Sequence, residues 1–336
     1  MKKLRVGLVG AGLVGQAEHA YYLWEDRARF EFAGLADASA SVREVLGARY
    51  GVTALYPDLA GMLKGTKLDA LVIAAPDPFH PELAVAALDA GLHVLCEKPL
   101  ALTLSGIDRI KAARDKSGKV LQVAYMKRHD PAFKKALELL PAKIEDVKLI
   151  SVEVNDPDQD PFVAHLPMVV PDDIPAALRD QMRKANAAQF AESAGGTPSA
   201  IGARALGGGF LSSLVHDVGV VHGMLAHLSV TLPAEASHGS IYAGGRGVEV
   251  AFDLPGGGKV RLTHLNLPTV PDYTERITVY CTDRIIELVF PSPYLRHFPT
   301  RLTLRKGGGA QGQPLSLETV EYRVSYEESF REQLRA

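Results

Sequence analysis

The stretch VGLVGAGLVGQAEH, residues 6–19, decides how the first part of the chain is read. Leu4–Val9 is a short run, apolar but for Arg5, the kind of strand that a parallel sheet buries on both faces. Gly10-Ala11-Gly12-Leu13-Val14-Gly15 follows at once, and residues 16–27 have helical spacing. Glycines so placed between strand and helix have separate uses. Gly10 permits a tight turn, Gly12 lets the backbone approach a pyrophosphate, and Gly15 lets helix and strand pack closely. The helix N-terminus then turns unpaired N–H groups and its positive dipole end toward the phosphates. Residues 30–36 read as a second strand ending in Asp37, near the spacing of a dinucleotide site. An aspartate there accepts hydrogen bonds from both ribose hydroxyls and repels a 2′-phosphate. Ala38-Ser39 follow with no adjacent arginine, so NAD is expected rather than NADP. Lys2, Lys3 and Arg5 ahead of an apolar run also outline a secretion leader. Interrupting glycines and the unbroken helix-then-strand pattern speak for the cofactor loop instead.

The alternation continues. Residues 40–50, 58–63, 81–90 and 104–116 have helical spacing, and LDALVIAAP (68–76), HVLCE (93–97) and VLQVAYM (120–126) read as strands. Strands and helices in this order imply an α/β, Rossmann-type doubly wound parallel sheet, assigned to residues 1–125. After about Leu140 the period changes to two. VKLISVEVND, SIYAGGRGVEVAFDL, KVRLTHLNL, RITVYCT and IIELVF suggest a large, mostly antiparallel open sheet with one buried face. Residues 126–336 are therefore expected to form an α+β domain for substrate binding and oligomerisation. Within it, residues 171–193 read as a helix with Asp172 or Asp173 near its start. GARALGGG (202–209) reads as a glycine-rich loop before the helical FLSSLVHDVGVVHGMLAHL.

Composition narrows the partners. The 336 residues are 47% hydrophobic and 23% charged, with a net charge of −2. That balance argues against a general nucleic-acid or anionic-membrane binder, both of which need a basic surface. No apolar run approaches the roughly 18 residues of a membrane span. Cys96 and Cys281 are too few for a disulfide framework and suit a reducing compartment, so a cytoplasmic location is expected. No metal site is expected: neither His222 nor His227 lies one helical turn from His216 on its face, and NDPDQDPF lacks the spacing of a calcium loop.

AAPDPFHPELAVAALDAGLHVLCEKPLALT closely resembles the glucose–fructose oxidoreductase and inositol dehydrogenase (Gfo/Idh/MocA) family. The likeness runs from the glycine motif through VAYMKRHDPAF and, more loosely, into the second half. It implies that Lys98 is the catalytic lysine, beside substrate hydroxyl and nicotinamide, with Glu97 near the nicotinamide ribose. Pro99 often follows a cis peptide in that family, and His80 matches the histidine that closes the nicotinamide side. The implied cofactor contacts are Gly10, Gly12, Leu13, Val14, Gly15, Asp37, Ala75, Pro76, His80, Glu97 and Lys98. Asp77 stands where the family more often has Asn, and Lys127 and Arg128 would border the substrate pocket. SSLVHDVGVVHGML resembles the family's Asp-x-x-x-His helix, which makes His216 the catalytic histidine and puts Ser212 at the aspartate's place, one turn earlier on the same face. Ser212 can hydrogen-bond a hydroxyl but carries no charge. Asp217, also placed with the substrate residues, points about a quarter-turn away.

The resemblance implies an NAD(H)-dependent oxidoreductase acting on a secondary alcohol of a sugar, cyclitol or glycoside. Two alternatives stay open: redox-neutral glycoside cleavage through transient oxidation, and a non-catalytic NAD-binding sensor. The segment 156–203 looks longer than its counterpart in many relatives and is expected to reshape the substrate pocket. A homodimer or homotetramer through the second-domain sheet is also expected.

Overall fold

In the computed structural model, which describes residues 3–309 and 315–336, the run Leu4–Val9 is β1, central to a six-stranded sheet. A wide, π-type turn at Gly15–His19 leads into α1 (Ala20–Glu25). There follow β2 (Phe30–Ala36), α2 (Ala40–Tyr50), β3 (Leu55–Tyr56), α3 (Leu59–Gly65), β4 (Ala70–Ile73) and α4 (His80–Asp89). The series ends with β5 (His93–Cys96), α5 (Leu104–Ser117) and β6 (Leu121–Val123). Strand order is β3-β2-β1-β4-β5-β6, every pair parallel. The order reverses between β1 and β4, and open sheets of this kind bind ligands outside the carboxyl ends of the strands at such a point. Leu8, Leu71 and Ile73 are fully buried, which is why these strands read as continuous apolar runs. Ser39 and Thr103 start α2 and α5 by accepting hydrogen bonds from Val42 N–H and Gly106 N–H.

The remaining elements are α6 (Pro131–Leu139), β7 (Val147–Asn155), α7 (Asp160–Val163), α8 (Ala176–Ser193), α9 (Ala200–Arg204) and α10 (Val215–His227). β8 (His238–Tyr242), β9 (Gly247–Asp253), β10 (Lys259–Leu265), β11 (Thr274–Cys281) and β12 (Arg284–Phe290) come next, then β13 (Arg301–Gly308), β14 (Ser316–Tyr322) and α11 (Ser329–Arg335). Two compact units result. The first joins Met1–Ala124 to Leu166–Pro198, and the second joins Tyr125–His165 to Ser199–Ala336. Residues 126–336, read from the sequence as one domain, are thus interrupted: Leu166–Pro198 belongs with the parallel sheet.

In the second unit an eight-stranded sheet runs β14-β13-β12-β11-β7-β10-β9-β8, antiparallel except where β7 meets β10. Its apolar face packs Ile150, Val152, Leu262, Ile277 and Val279 in one core with Phe133, Leu214 and Met224. The opposite face carries alternating charges: Glu153 pairs with Arg261 and Arg276, and Glu287 with Arg276 and Arg305. β14 is exposed or half-buried throughout, so it lacks the apolar alternation by which the other strands are legible.

GARALGGG is not a loop. Residues Ala200–His227 form one continuous helix whose stretch Ala205–Leu214 is widened to π-type turns. A Cβ on Gly209 would lie 3.1 Å from His264 Nδ1 and 3.4 Å from Val248 Cγ2, so a glycine lets the helix lie close against β9 and β10. That packing offsets the roughly 1 kcal/mol that each helical glycine costs relative to alanine. By length and composition alone this helix could cross a membrane, contrary to the expectation above. Its most apolar window is, however, 61% buried within the structure, as in the core helix of a soluble protein.

Candidate active site

The glycine loop has the geometry its sequence implies. Gly10 has φ +85°, and a Cβ there would sit 2.4 Å from Ala75 N, so both conformation and contact require glycine. A Cβ on Gly15 would lie 2.5 Å from Gly10 O, where the helix start presses on the turn. At Gly12 a Cβ would meet nothing within 4 Å: this exposed face is open to a ligand. Leu13 and Val14 are half-buried between the two. The Asp37 carboxylate lies at the same loop, accepting from Ala11 N–H at 2.7 Å and Ser39 N–H at 2.9 Å. Arg43, one turn into α2, donates to Asp37 O at 2.5 Å, a cation near Asp37 that the adjacent sequence does not announce. The open backbone at Gly12, the N–H groups of the following turn and the Asp37 carboxylate fit the pyrophosphate and ribose of a dinucleotide.

Beyond the turn, the ends of β4 and β5 are braced together. His80 is fully buried, with Nε2 2.8 Å from Ala75 O and Nδ1 2.8 Å from Pro99 O. Both nitrogens are engaged by backbone, so His80 holds the two loops rather than presenting a nitrogen to a cofactor. Ala75 is half-buried and Pro76 exposed. Glu97 is buried, taking His19 Nε2 at 2.7 Å and Lys98 N–H at 3.1 Å. Lys98 is half-buried at the crevice, and its peptide bond to Pro99 is cis. Burial raises the Asp77 carboxyl above its usual range, opposed by the charges of His80 and Lys98.

The segment Leu166–Pro198 runs across this same edge. Gln16 exchanges two 2.9 Å hydrogen bonds with the backbone of Val169. Further along, Gln189 Nε2 donates to Pro78 O at 3.1 Å, Ser105 Oγ to Glu192 at 2.7 Å, and Ser193 Oγ to Leu102 O. α8 begins at Ala176 and has no buried residue. Asp173 does not cap it but bonds the head of α2 instead.

In the second unit, His216 is half-buried on α10 and Ser212 is exposed one turn before it, its hydroxyl donating to Gly208 O. Arg128 is exposed. Lys127 and Asp217, expected at the substrate, are instead buried in a polar cluster. Lys127 Nζ pairs with Glu275, which also accepts from the Tyr273 hydroxyl. Desolvation, then the Glu275 charge, pushes the Asp217 carboxyl well above the carboxylate range, while Lys127 pulls it back. Tyr273 is likewise raised, by burial and then by Glu275. Glu275 shares the buried alternation of Ile277 and Val279, and that pattern could have exposed it in the sequence. The same holds for His264, which alternates with buried Val260 and Leu262. Burial lowers the His264 imidazole to about 4.

Comparison with known proteins bears on the fold and on the dinucleotide-binding half. The model of an oxidoreductase family with an NAD-binding Rossmann fold, GFO_IDH_MocA, matches residues 4–125. The D-glucoside 3-dehydrogenase of Escherichia coli is 36% identical over 118 residues, 35% of this chain and 33% of that protein. An inositol 2-dehydrogenase of Saccharopolyspora erythraea is 36% identical over 140 residues, 40% of this chain and 41% of its own length. The matches thus span well under half of these curated relatives. Among solved structures, myo-inositol 2-dehydrogenase from Lactobacillus plantarum has a TM-score of 0.64 at 17% identity, covering 87% of this chain and 80% of that one. The scyllo-inositol dehydrogenase from Lactobacillus casei, with bound NAD(H) and scyllo-inositol, has a TM-score of 0.62 at 20% identity, covering 85% and 76%. At these identities the structures establish the fold. Residues 4–125 thus match the NAD-binding Rossmann domain of the Gfo/Idh/MocA oxidoreductase family.

Proposed function

We propose that this protein is an NAD(H)-dependent oxidoreductase acting on a secondary alcohol of a sugar, cyclitol or glycoside. The observation that carries the reading is the loop of residues 10–15, with Gly10 pressed on Ala75, Gly12 open and Asp37 alongside. NAD held at residues 10–15 and Asp37 would supply the hydride-accepting group. The chain's own part is positioning and proton movement. Asp37 would hold the adenine ribose, and His80 keeps the Ala75 and Pro99 loops in register. Lys98 Nζ would take the substrate hydroxyl proton, a role suited to a partly desolvated lysine. Glu97, anchored by His19, fixes the backbone at Lys98. The resemblance assigns a substrate role to His216, with Ser212 one turn earlier as a neutral neighbour. The relatives' names, inositol and glucoside dehydrogenases, support a polyhydroxylated ring as substrate. Assembly of like chains through the second sheet belongs to the same reading.

The test is nicotinamide absorbance during incubation with NAD and a panel of cyclitols, sugars and glycosides, wild type beside Lys98→Ala. Lysine-dependent NADH formation supports the reading. Turnover unaffected by Lys98→Ala would remove the lysine from the mechanism. A second reading, redox-neutral glycoside cleavage, draws on the segment Leu166–Pro198, which is bonded to Gln16 just after the glycine loop. Cleaved glycoside without accumulating NADH would support it. No conversion of any substrate, with NAD still bound, would favour a sensor.

A further inference from the structure

The Asp173 carboxylate is seated at the head of α2. It accepts hydrogen bonds from Ala40 N–H at 2.7 Å, Ser41 N–H at 3.0 Å, Ser39 Oγ at 2.5 Å and Ser41 Oγ at 3.2 Å. Two backbone N–H groups and two hydroxyls at the head of an 11-residue helix make an anion cradle, and here the chain's own carboxylate fills it. The cradle adjoins Asp37: Ser39 gives its N–H to Asp37 Oδ1 and its hydroxyl to Asp173. Arg43 lies in the same first turns of α2, bonded to Asp37 O. A 2′-phosphate differs from a ribose hydroxyl by roughly two negative charges and several strong acceptor oxygens. Placed beside Asp37, it would need this cradle.

We propose that Asp173, carried on the segment Leu166–Pro198, sets dinucleotide choice by occupying the α2 cradle, so that NADP binds only by expelling a carboxylate. The inference rests on the NAD reading above and adds a specificity residue that lies far from the glycine motif in sequence. Four donors hold the Asp173 carboxyl at about 2, the Ser39 hydroxyl contributing most, so the cradle is filled by an anion at any working pH. α8 has no buried residue, and the segment is held to the sheet's edge by polar bonds of this kind. Like charges brought together disfavour the wrong ligand even where contacts are otherwise available.

The test compares dissociation constants of NADH and NADPH, read by nicotinamide fluorescence, for wild type, Asp173→Ser and Asp172→Ser. Serine leaves a small polar side chain without charge, and Asp172 makes none of the cradle bonds. The expected result is NADH preferred by wild type, with the ratio shifted toward NADPH by about tenfold or more in Asp173→Ser. The ratio should be unchanged in Asp172→Ser. Calorimetric melting of each protein establishes that the variants are folded. Asp173→Asn, which keeps the shape and loses the charge, is expected to shift the ratio in the same direction. An unchanged ratio in both Asp173 variants, with NADH still bound, overturns this inference and leaves the NAD reading standing. A wild type that binds neither dinucleotide, or prefers NADPH, overturns both.

Discussion

His19 Nε2 and Glu97 Oε1 lie 2.7 Å apart in a buried pair that ties the start of the first helical segment to the end of β5. Glu97 also accepts Lys98 N–H, so one carboxylate links the glycine-loop helix to the lysine's backbone. Glu97→Ala would leave buried donors without their acceptor, at a cost of about 1–3 kcal/mol. Glu97→Gln, which can still bridge, should lose less than half as much. Denaturant unfolding measures both, and an alanine variant as stable as wild type would mean the pair holds nothing together.

Two glycines of one motif should fail differently. Gly10→Ala forces a side chain into a positive-φ position 2.4 Å from Ala75 N, so the protein should lose about 1–3 kcal/mol of stability in denaturant unfolding. Gly12→Ala meets nothing within 4 Å and should fold as wild type. NAD affinity of Gly12→Ala should nonetheless fall by about tenfold or more, since the methyl occupies the approach of the pyrophosphate. Equal NAD affinity in Gly12→Ala and wild type would place the phosphates elsewhere.

The buried Lys127–Glu275 pair predicts a stability effect. Lys127→Met strands Glu275 beside Asp217 and should cost about 3–5 kcal/mol, as removing one partner of a buried pair does. Lys127→Met with Glu275→Leu should recover part of that loss in the same urea titrations. A Lys127→Met protein of undiminished stability would show that the cluster is not held by this pair.

His264 supplies a pH dependence of defined sign. The unfolded chain protonates this imidazole near 6.5, the folded chain only near 4, because burial disfavours the cation. Its stabilising contribution is therefore present above about pH 6.5 and lost as pH falls toward 4, at up to about 1.4 kcal/mol per pH unit. Stability of His264→Leu should fall less steeply than wild type over that window. Parallel slopes in urea unfolding at a series of pH values would contradict it.

Legibility followed the range of the contacts. The strands β1 and β2 and the helix α2 appear within their expected bounds, because apolar period and capping residues are local signals. GARALGGG misled because its four glycines signal a turn locally, whereas the close packing of Gly209 on His264 and Val248 makes helix the better solution. Lys127 and Asp217 looked like surface charges at a pocket until Glu275, on a distant strand, drew both into the interior.

From the sequence alone came the parallel sheet, the glycine loop beside Asp37 and the placing of Lys98 at the carboxyl end of β5. Each is encoded by residues a few positions apart, within reach of one turn or one pleat. Only the tertiary structure decided that Leu166–Pro198 joins the first unit, that Asp173 answers the head of α2 and that His80 is spent on backbone carbonyls. Those depend on which donors meet which acceptors once distant segments are packed. A carboxylate's sequence neighbours do not reveal which helix end it will neutralise, because burial and hydrogen-bond geometry settle that in three dimensions.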